Sequence, residues 1–240
     1  MYIGQPCIRR QPLACIHRLQ AICMIELNCE EFALAKLEFV GPIKHYSGGA
    51  NVKRDMQTFL LQRFGQKSKK LLSEQASLFK ECVINIRNKS DSQRKTMTKT
   101  ILPRVALYKA LQKNGFPEAE AKEIVKDYMH FQLTPMVKTL KWVDRYLPFS
   151  FALLQKIGSG SSKNDSWRIE NLQRGKNRFS FDVIDCLWYN TCMENDCSEL
   201  CSTFCDNDIY LYGDLVNTAF NRTQTIASGG KVCDFVYEKT

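Results

Sequence analysis

The apolar residues of this 240-residue chain change their spacing about two thirds of the way along it. Between Asn51 and Ile86 they recur every three or four residues, with a break at Gly65, and this spacing is typical of one face of an α-helix. The members of this stripe are Val52, Met56, Phe59, Leu60, Phe64, Leu71, Leu72, Leu78, Phe79, Cys82, Val83 and Ile86. Beyond Trp167 the spacing becomes two, as in a strand with one buried face. The pattern therefore predicts helices first and strands last.

Glycine and proline mark the predicted ends of the helices, because neither continues a helix readily. The predicted helices cover Cys29–Phe39, Ile101–Lys113, the residues from Pro117 to about His130, and a segment that starts at Pro135. The polar residues 88–98 are predicted to be a linker or an exposed turn. The run from Gly158 to Ser162 is predicted to be a flexible boundary.

The last part of the chain predicts an antiparallel sheet with an inserted helix. Two strands are expected at 167–172 and 179–184, joined by a turn at 174–177, and a hairpin at 221–226 and 232–237. In the helix expected between the second strand and the hairpin, Cys197, Cys201 and Cys205 would lie near one another on the surface, since they are four residues apart. The predicted fold class is α+β, with an N-terminal helical part packed against a C-terminal antiparallel sheet.

Three segments follow from this pattern. Residues 1–50 form a variable N-terminal segment, residues 51–160 a helical part, and residues 161–240 a cysteine-rich α+β part. Residues 51–240 are expected to form one structural unit, since 44% hydrophobic residues suffice for a shared core.

The charge is unevenly divided between these parts. The formal net charge is +9, yet residues 165–240 carry 7 Lys and Arg against 12 Asp and Glu, which leaves 27 basic and 13 acidic residues for 1–164. The basic residues are spread along predicted helices without the aromatic interleaving of a nucleic-acid module. We therefore expect a small-molecule substrate and no specific nucleic acid as partner.

The chain shows no membrane signal. No apolar run approaches the roughly 20 residues that cross a bilayer, and the first residues lack the order of a secretory signal. We therefore expect a cytoplasmic protein without a membrane partner. Eleven cysteines in such a chain indicate free thiols rather than a disulfide framework.

Six of these cysteines fall in the last part of the chain: Cys186, Cys192, Cys197, Cys201, Cys205 and Cys233. Their spacing does not give the paired C-x-x-C knuckles of structural zinc sites, and no ferredoxin-type run is present. The expectation is no metal and no cofactor. A protein that uses these cysteines to respond to metal or redox state is an alternative.

The spacing of the last sixty residues resembles the L-2-amino-thiazoline-4-carboxylic acid hydrolase family. The residues that carry this resemblance are Phe179, Phe181, Val183, Cys186 and Tyr189, then Glu199-Leu200, Phe204-Cys205 and Asp208, then Phe220, Arg222-Thr223, Thr225-Ile226-Ala227, Gly229 and Cys233-Asp234-Phe235. A weaker similarity begins at Leu102. The family implies a hydrolase acting on C–N bonds in a cyclic amidine, which converts L-2-amino-thiazoline-4-carboxylate to N-carbamoyl-L-cysteine on a route to L-cysteine. The closing hairpin also looks like that of vinyl-reductase-related domains, and these bind a small ligand without catalysis.

Opening such a ring needs a base, an acidic partner for the amidinium and a cation for the carboxylate. Arg222 is the candidate carboxylate clamp, although it could equally be paired with Asp208 or Asp234. Asp208 is the candidate base or amidinium partner, and Asp206 is a weaker candidate on the same predicted turn, where both could instead be caps.

Cys205 is the candidate nucleophile, but activation by histidine would require His130 to fold back, because no histidine lies in the last part. The resemblance adds Tyr189 as a substrate-binding residue. The residues expected to be structural or to line the site are Cys186, Gly229, Cys233 and Asp234.

Overall fold

The computed structural model of the protein describes residues 55–160 and 165–240, and it confirms the α+β class. The helices are α1 (Met56–Phe64), α2 (Ser68–Ile84), α3 (Asp91–Thr96), α4 (Leu102–Lys113), α5 (Glu118–Tyr146), α6 (Ser150–Gly160), α7 (Leu187–Glu194) and α8 (Cys201–Tyr212). The strands are β1 (Trp167–Arg174), β2 (Arg178–Cys186), β3 (Thr218–Asn221) and β4 (Cys233–Lys239). The helix predicted over Cys29–Phe39 lies outside the described residues. None of the described helices combines the length and the apolar character needed to cross a membrane.

Local capping explains where the first helices begin and end. The side chain of Asp55 accepts a hydrogen bond from the Thr58 amide at 2.8 Å, and α1 ends at Gly65 with φ of 56°, as the break in the stripe predicted. The linker predicted for residues 88–98 is wrong. Ser90 and Gln93 form a capping box that starts α3, and a π-helical turn over Met97–Ile101 continues it into α4.

The helix α5 runs without interruption through Pro135, so the two separate helices predicted there are wrong. Proline in a helix interior removes one backbone donor and crowds the preceding turn. The hydroxyl of Thr134 donates to the carbonyl of His130 at 2.7 Å at this point. Buried residues on both sides of the proline, including Met129 and Val137, hold the two halves in one line. Tertiary packing therefore overrides the local signal.

The helical core includes part of the cysteine-rich segment. Tyr108 of α4 is fully buried, and its hydroxyl donates to Glu199 at 2.6 Å across 91 residues of sequence. Cys192, Cys197 and Cys201 lie in the same core. They are buried rather than on a helix surface, and Cys197 is outside α8, because Asp196 with φ of 51° separates α7 from the turn that precedes α8. The predicted surface row of cysteines is therefore wrong.

The four strands form one antiparallel sheet in the order β1-β2-β4-β3. Phe179, Phe181 and Val183 are buried on one face, as their alternation predicted. The ring of Phe181 stacks on that of Phe235 at 4.9 Å. The predicted hairpin is present, with its first strand at Thr218–Asn221 rather than at 221–226.

The helix α6 lies against this buried face. A Cβ atom at Gly158 would come within 2.5 Å of the Phe179 ring, so the close approach needs glycine. The flexible boundary predicted from Gly158 is therefore wrong at its start, since α6 continues to Gly160.

Candidate functional site

A partly buried ion pair joins the sheet to α8. Nη1 of Arg222 donates to Oδ2 of Asp208 at 2.6 Å, and Nη2 donates to the carbonyl oxygen of Cys205 at 3.1 Å. The Arg222 side chain is 7% exposed and that of Asp208 is 23% exposed. The guanidinium carbon also lies 5.6 Å from the ring centroid of Phe235, within cation–π range. Arg222 is therefore held by a charge, a carbonyl and an aromatic face.

The two partners come from elements that are adjacent in space. Asp208 lies one turn beyond Cys205 on α8, whereas Arg222 is the first residue after β3. Tyr212 at the end of α8 packs against Phe220 at 5.6 Å and against Tyr237 at 5.3 Å. These ring contacts bring α8 onto the sheet and place Asp208 beside the end of β3. The prediction that Asp206 and Asp208 lie on a turn after a helix is wrong, since both are within α8.

Burial changes the acidity of Asp208. Removal from water raises the pKa of this carboxyl to about 6, against the lowering effect of the Arg222 charge and hydrogen bond. The charge of Asp206 adds a smaller rise. Asp208 therefore changes its protonation state close to neutral pH, as a general acid or base does.

The thiols around the pair are protonated at neutral pH. A hydrogen bond with the Cys201 thiol, together with burial, raises the pKa of Cys205 far above its ordinary value, and the Asp208 charge adds to this. Burial raises the pKa of Cys186 to about 12 and also raises the pKa of Cys233, whose sulfur accepts a hydrogen bond from the Ile226 amide at 3.3 Å. A protonated thiol is a weak nucleophile.

The other predicted site residues make different contacts, and those of Asp234 are next to Arg222. Asp206 points to Lys126 of α5 at 4.0 Å, on the opposite side of α8 from Asp208. Tyr189 packs against the helical core from α7. Gly229 adopts φ of 85° at the end of the 3-10 turn Ile226–Ser228, and Asp234 accepts hydrogen bonds from Thr223 and Gln224.

His130 lies on the α5 side of α8. Its ring stacks on that of Tyr210 at 3.9 Å, and Tyr210 falls on the helix face opposite Cys205. Its Nε2 atom and Oδ1 of Asn207 are buried without a hydrogen-bond partner among residues 55–160 and 165–240. The structure thus places His130 apart from the Cys205 side of the helix.

The sequence reasoning overlooked Asp144, which is 1% exposed on α5. Its carboxylate accepts hydrogen bonds from the amides of Val216 and Asn217, at 2.6 and 2.7 Å, and from the hydroxyl of Thr218 at 2.9 Å. These bonds fix the start of β3. The signal was an acidic residue in the apolar stripe of Val137 and Leu140, where a charge is buried only with partners.

Within the described part of the chain, no three His, Cys, Asp or Glu residues are grouped closely enough to hold a metal ion. The absence of a metal or cofactor stays a prediction.

The fold and the site define an α+β protein in which a partly buried arginine–carboxylate pair lies between a helix and the edge of an antiparallel sheet, among protonated thiols. The model of the family described as L-2-amino-thiazoline-4-carboxylic acid hydrolase matches residues 93–237, and the chain belongs to this family. No curated protein and no solved structure matches the chain.

Proposed function

We propose that the protein is a hydrolase that opens a small cyclic amidine, and that its substrate is L-2-amino-thiazoline-4-carboxylate or a close analogue. The observation that carries this proposal is the partly buried pair of Arg222 and Asp208, in which the pKa of the carboxyl is raised to about 6. Family membership supplies the reaction class. The pair supplies the two charges that such a substrate needs.

The conversion to N-carbamoyl-L-cysteine consumes one water. The water oxygen bonds to ring carbon C2, the C2–S bond breaks, and the sulfur leaves as a thiol with a proton. Both nitrogen atoms stay bonded to C2 in the carbamoyl product. The bond cleaved is therefore C–S rather than the C–N bond expected from the sequence, although the carbon attacked is the amidine carbon in both cases.

Arg222 binds the substrate carboxylate in this proposal. Its contacts with Asp208 and Cys205 use two of the five guanidinium N–H donors, so further donors are available for a carboxylate. The cation–π contact with Phe235 holds the guanidinium plane in place while the remaining donors bind the substrate carboxylate.

Asp208 acts as the base. In its ionised form it faces the amidinium and takes a proton from the attacking water, and its raised pKa lets it return that proton to the leaving sulfur. A general acid or base held in this way raises the rate constant of the reaction about 10²- to 10⁴-fold. The ionised form is the active one, so kcat/KM should rise as pH increases through about 6.

Cys205 lines the site in the proposed route. A covalent route would need its proton removed first, and the raised pKa of this thiol opposes that step. The two routes differ for Cys205→Ala, which should keep most of the turnover if water attacks and lose it if the sulfur attacks.

The test is incubation of purified, reduced protein with the thiazoline, followed by mass spectrometry of substrate and N-carbamoyl-cysteine. Stoichiometric product that is lost with Arg222→Ala and kept with Lys126→Met would support the proposal. A folded wild-type protein that forms no product from this substrate would contradict it.

A non-catalytic ligand-binding role is the second candidate. It is favoured by the pairing of Arg222 with Asp208, which already engages the two charges that the reaction would use. In that case the thiazoline should raise the melting temperature without being consumed.

A further inference from the structure

The sheet ladder ends immediately before Arg222. β3 is a four-residue strand at the edge of the sheet, and its last residue, Asn221, pairs with Val236 of β4. A short edge strand fixes the residue after it only weakly, since no further ladder bonds follow. Some other contact must hold the backbone where Arg222 leaves the strand.

Asp234 of β4 supplies that contact. Its Oδ1 accepts hydrogen bonds from the amides of Thr223 at 3.0 Å and Gln224 at 2.8 Å. Its Oδ2 accepts from the Thr223 hydroxyl at 2.5 Å. Partial burial acts to raise the pKa of Asp234, but these hydrogen bonds outweigh it and hold the pKa below its ordinary value. The carboxylate replaces the missing ladder with charge-assisted bonds.

The two neighbours Asp234 and Phe235 thus hold Arg222 at two points. Phe235 lies under the guanidinium, whereas Asp234 fixes the backbone on the C-terminal side of the arginine. The strand pairing of Asn221 fixes the N-terminal side. A one-residue shift of this backbone would move the guanidinium away from Asp208, because side chains alternate between the two faces of a strand.

We infer that Asp234 is a positioning residue that holds Arg222 against Asp208. Its effect on turnover rests on the proposed function, but its effect on the ion pair does not. The chemical consequence is specific: with Arg222 less well held, its charge stabilises the Asp208 carboxylate less, and the pKa of Asp208 rises above about 6.

The experiment compares Asp234→Ala and the milder Thr223→Val with Asp182→Asn as the matched control. Asp182 lies directly opposite Asp234 on β2 and accepts from Asn171 at 2.7 Å, so its removal takes the same charge from the same region of the sheet without touching residues 222–224. The carboxyl of Asp208 is titrated by NMR with ¹³C-labelled aspartate in the full chain, and its resonance is assigned from Asp208→Asn.

We expect both variants at the Asp234–Thr223 contact to raise the Asp208 pKa, Asp234→Ala more than Thr223→Val. We expect no such rise in Asp182→Asn. In turnover, KM should increase about tenfold with a smaller change in kcat, as expected when ground-state binding is lost.

An Asp208 pKa that is the same in wild type and in folded Thr223→Val and Asp234→Ala would overturn the inference. So would an equal rise in Asp182→Asn, because the loss of an acidic charge by itself lowers the pKa of a nearby carboxyl, and the rise would then come from a general loosening of the sheet. The titration is done without substrate, so a wild-type protein that does not open the thiazoline would defeat the proposed function and leave this result intact.

Discussion

Two aspartates on α8, two residues apart, have different surroundings. Asp208 lies 2.6 Å from Arg222, with side-chain exposures of 23% and 7%. Asp206 lies 4.0 Å from Lys126, with side-chain exposures of 48% and 30%. The first pair is mostly shielded from water between helix and sheet, and the second is more exposed, between α5 and α8. Both pairs are an acid facing a base, and burial raises the pKa of the Asp208 carboxyl to about 6.

The difference shows that the helix face, rather than the residue type, decides what an acid can do. A helix turns by about 100° per residue, so residues 206 and 208 face different neighbours. The sheet side offers a fork-shaped guanidinium and an aromatic face, which suit a bound carboxylate. The α5 side offers a flexible lysine in water, and such surface pairs contribute little.

The largest expected effect on stability comes from breaking the buried pair. Arg222→Met leaves Asp208 without its cation, and the loss at pH 7 should be about 3 kcal/mol, the lower end of the range for buried pairs that lose one partner, because the Asp208 side chain is 23% exposed. The loss should be smaller at pH 5, because Asp208 then takes a proton and no charge remains buried. Urea denaturation at the two pH values measures both. Lys126→Met is the control, with an expected change of less than about 1 kcal/mol; equal losses in the two variants would remove the contrast.

A smaller effect is expected from the aromatic contact that holds α8 on the sheet. Tyr212→Leu keeps an apolar side chain but loses the ring contacts with Phe220 and Tyr237. Each such contact is worth about 0.5–1.5 kcal/mol beyond burial, so a total loss near 2 kcal/mol is expected. Tyr210→Phe, on the other face, removes only the hydroxyl contact with Thr134 and should cost about 1 kcal/mol. Thermal unfolding of the two variants ranks them, and a larger loss for Tyr210→Phe would contradict the account.

The smallest effects concern pH, and the two faces of α8 should respond with opposite sign. The folded pKa of Asp208, about 6, lies above its ordinary value of 3.8, so this group favours the folded state as pH falls through that range. Burial and the Lys126 charge lower the pKa of His130 below its ordinary value of 6.5, against the raising charges of Asp127, Asp206 and Glu123. His130 therefore contributes stability above pH 6.5 that is lost as pH falls through the lowered pKa.

Stability curves between pH 7 and pH 5 test this sign difference. Asp208→Asn should remove the stability that the wild type gains from this group as pH falls from 7 to 5. His130→Gln should remove the stability that the wild type loses over the same range. A change in the pH dependence of stability that has the same sign in both variants would contradict the opposite pKa shifts of Asp208 and His130.

The sequence was most informative where local pattern and tertiary structure agree. The alternation around Phe181 predicted the buried sheet face, because side chains of a strand alternate strictly. Pro135 led to the wrong prediction of a helix boundary, because packing on both sides outweighs the cost of proline inside a helix. The position of Asp208 inside a helix was not predicted, since α8 is stabilised by contacts with α5 and β3 rather than by intrinsic helix propensity.

The candidate site could be predicted from the sequence only in part. The residue types and spacing indicated Arg222 and Asp208, and left open whether the arginine binds substrate or pairs with a nearby acid. The pair is present, but which helix face carries it depends on where β3 lies, and β3 is placed by Asp144 from more than 70 residues upstream. A contact between residues so far apart in sequence cannot be read from a local pattern.

The most direct test of the central claim compares Asp208→Asn with Asp206→Asn in turnover of L-2-amino-thiazoline-4-carboxylate. Both changes remove one carboxylate from the same helix, and only the first removes the buried partner of Arg222. We expect Asp208→Asn to lower kcat by about 10²-fold or more, as for loss of a general base, and Asp206→Asn to stay within about threefold of wild type. Equal turnover in wild type and Asp208→Asn would contradict the claim that this pair is the functional centre.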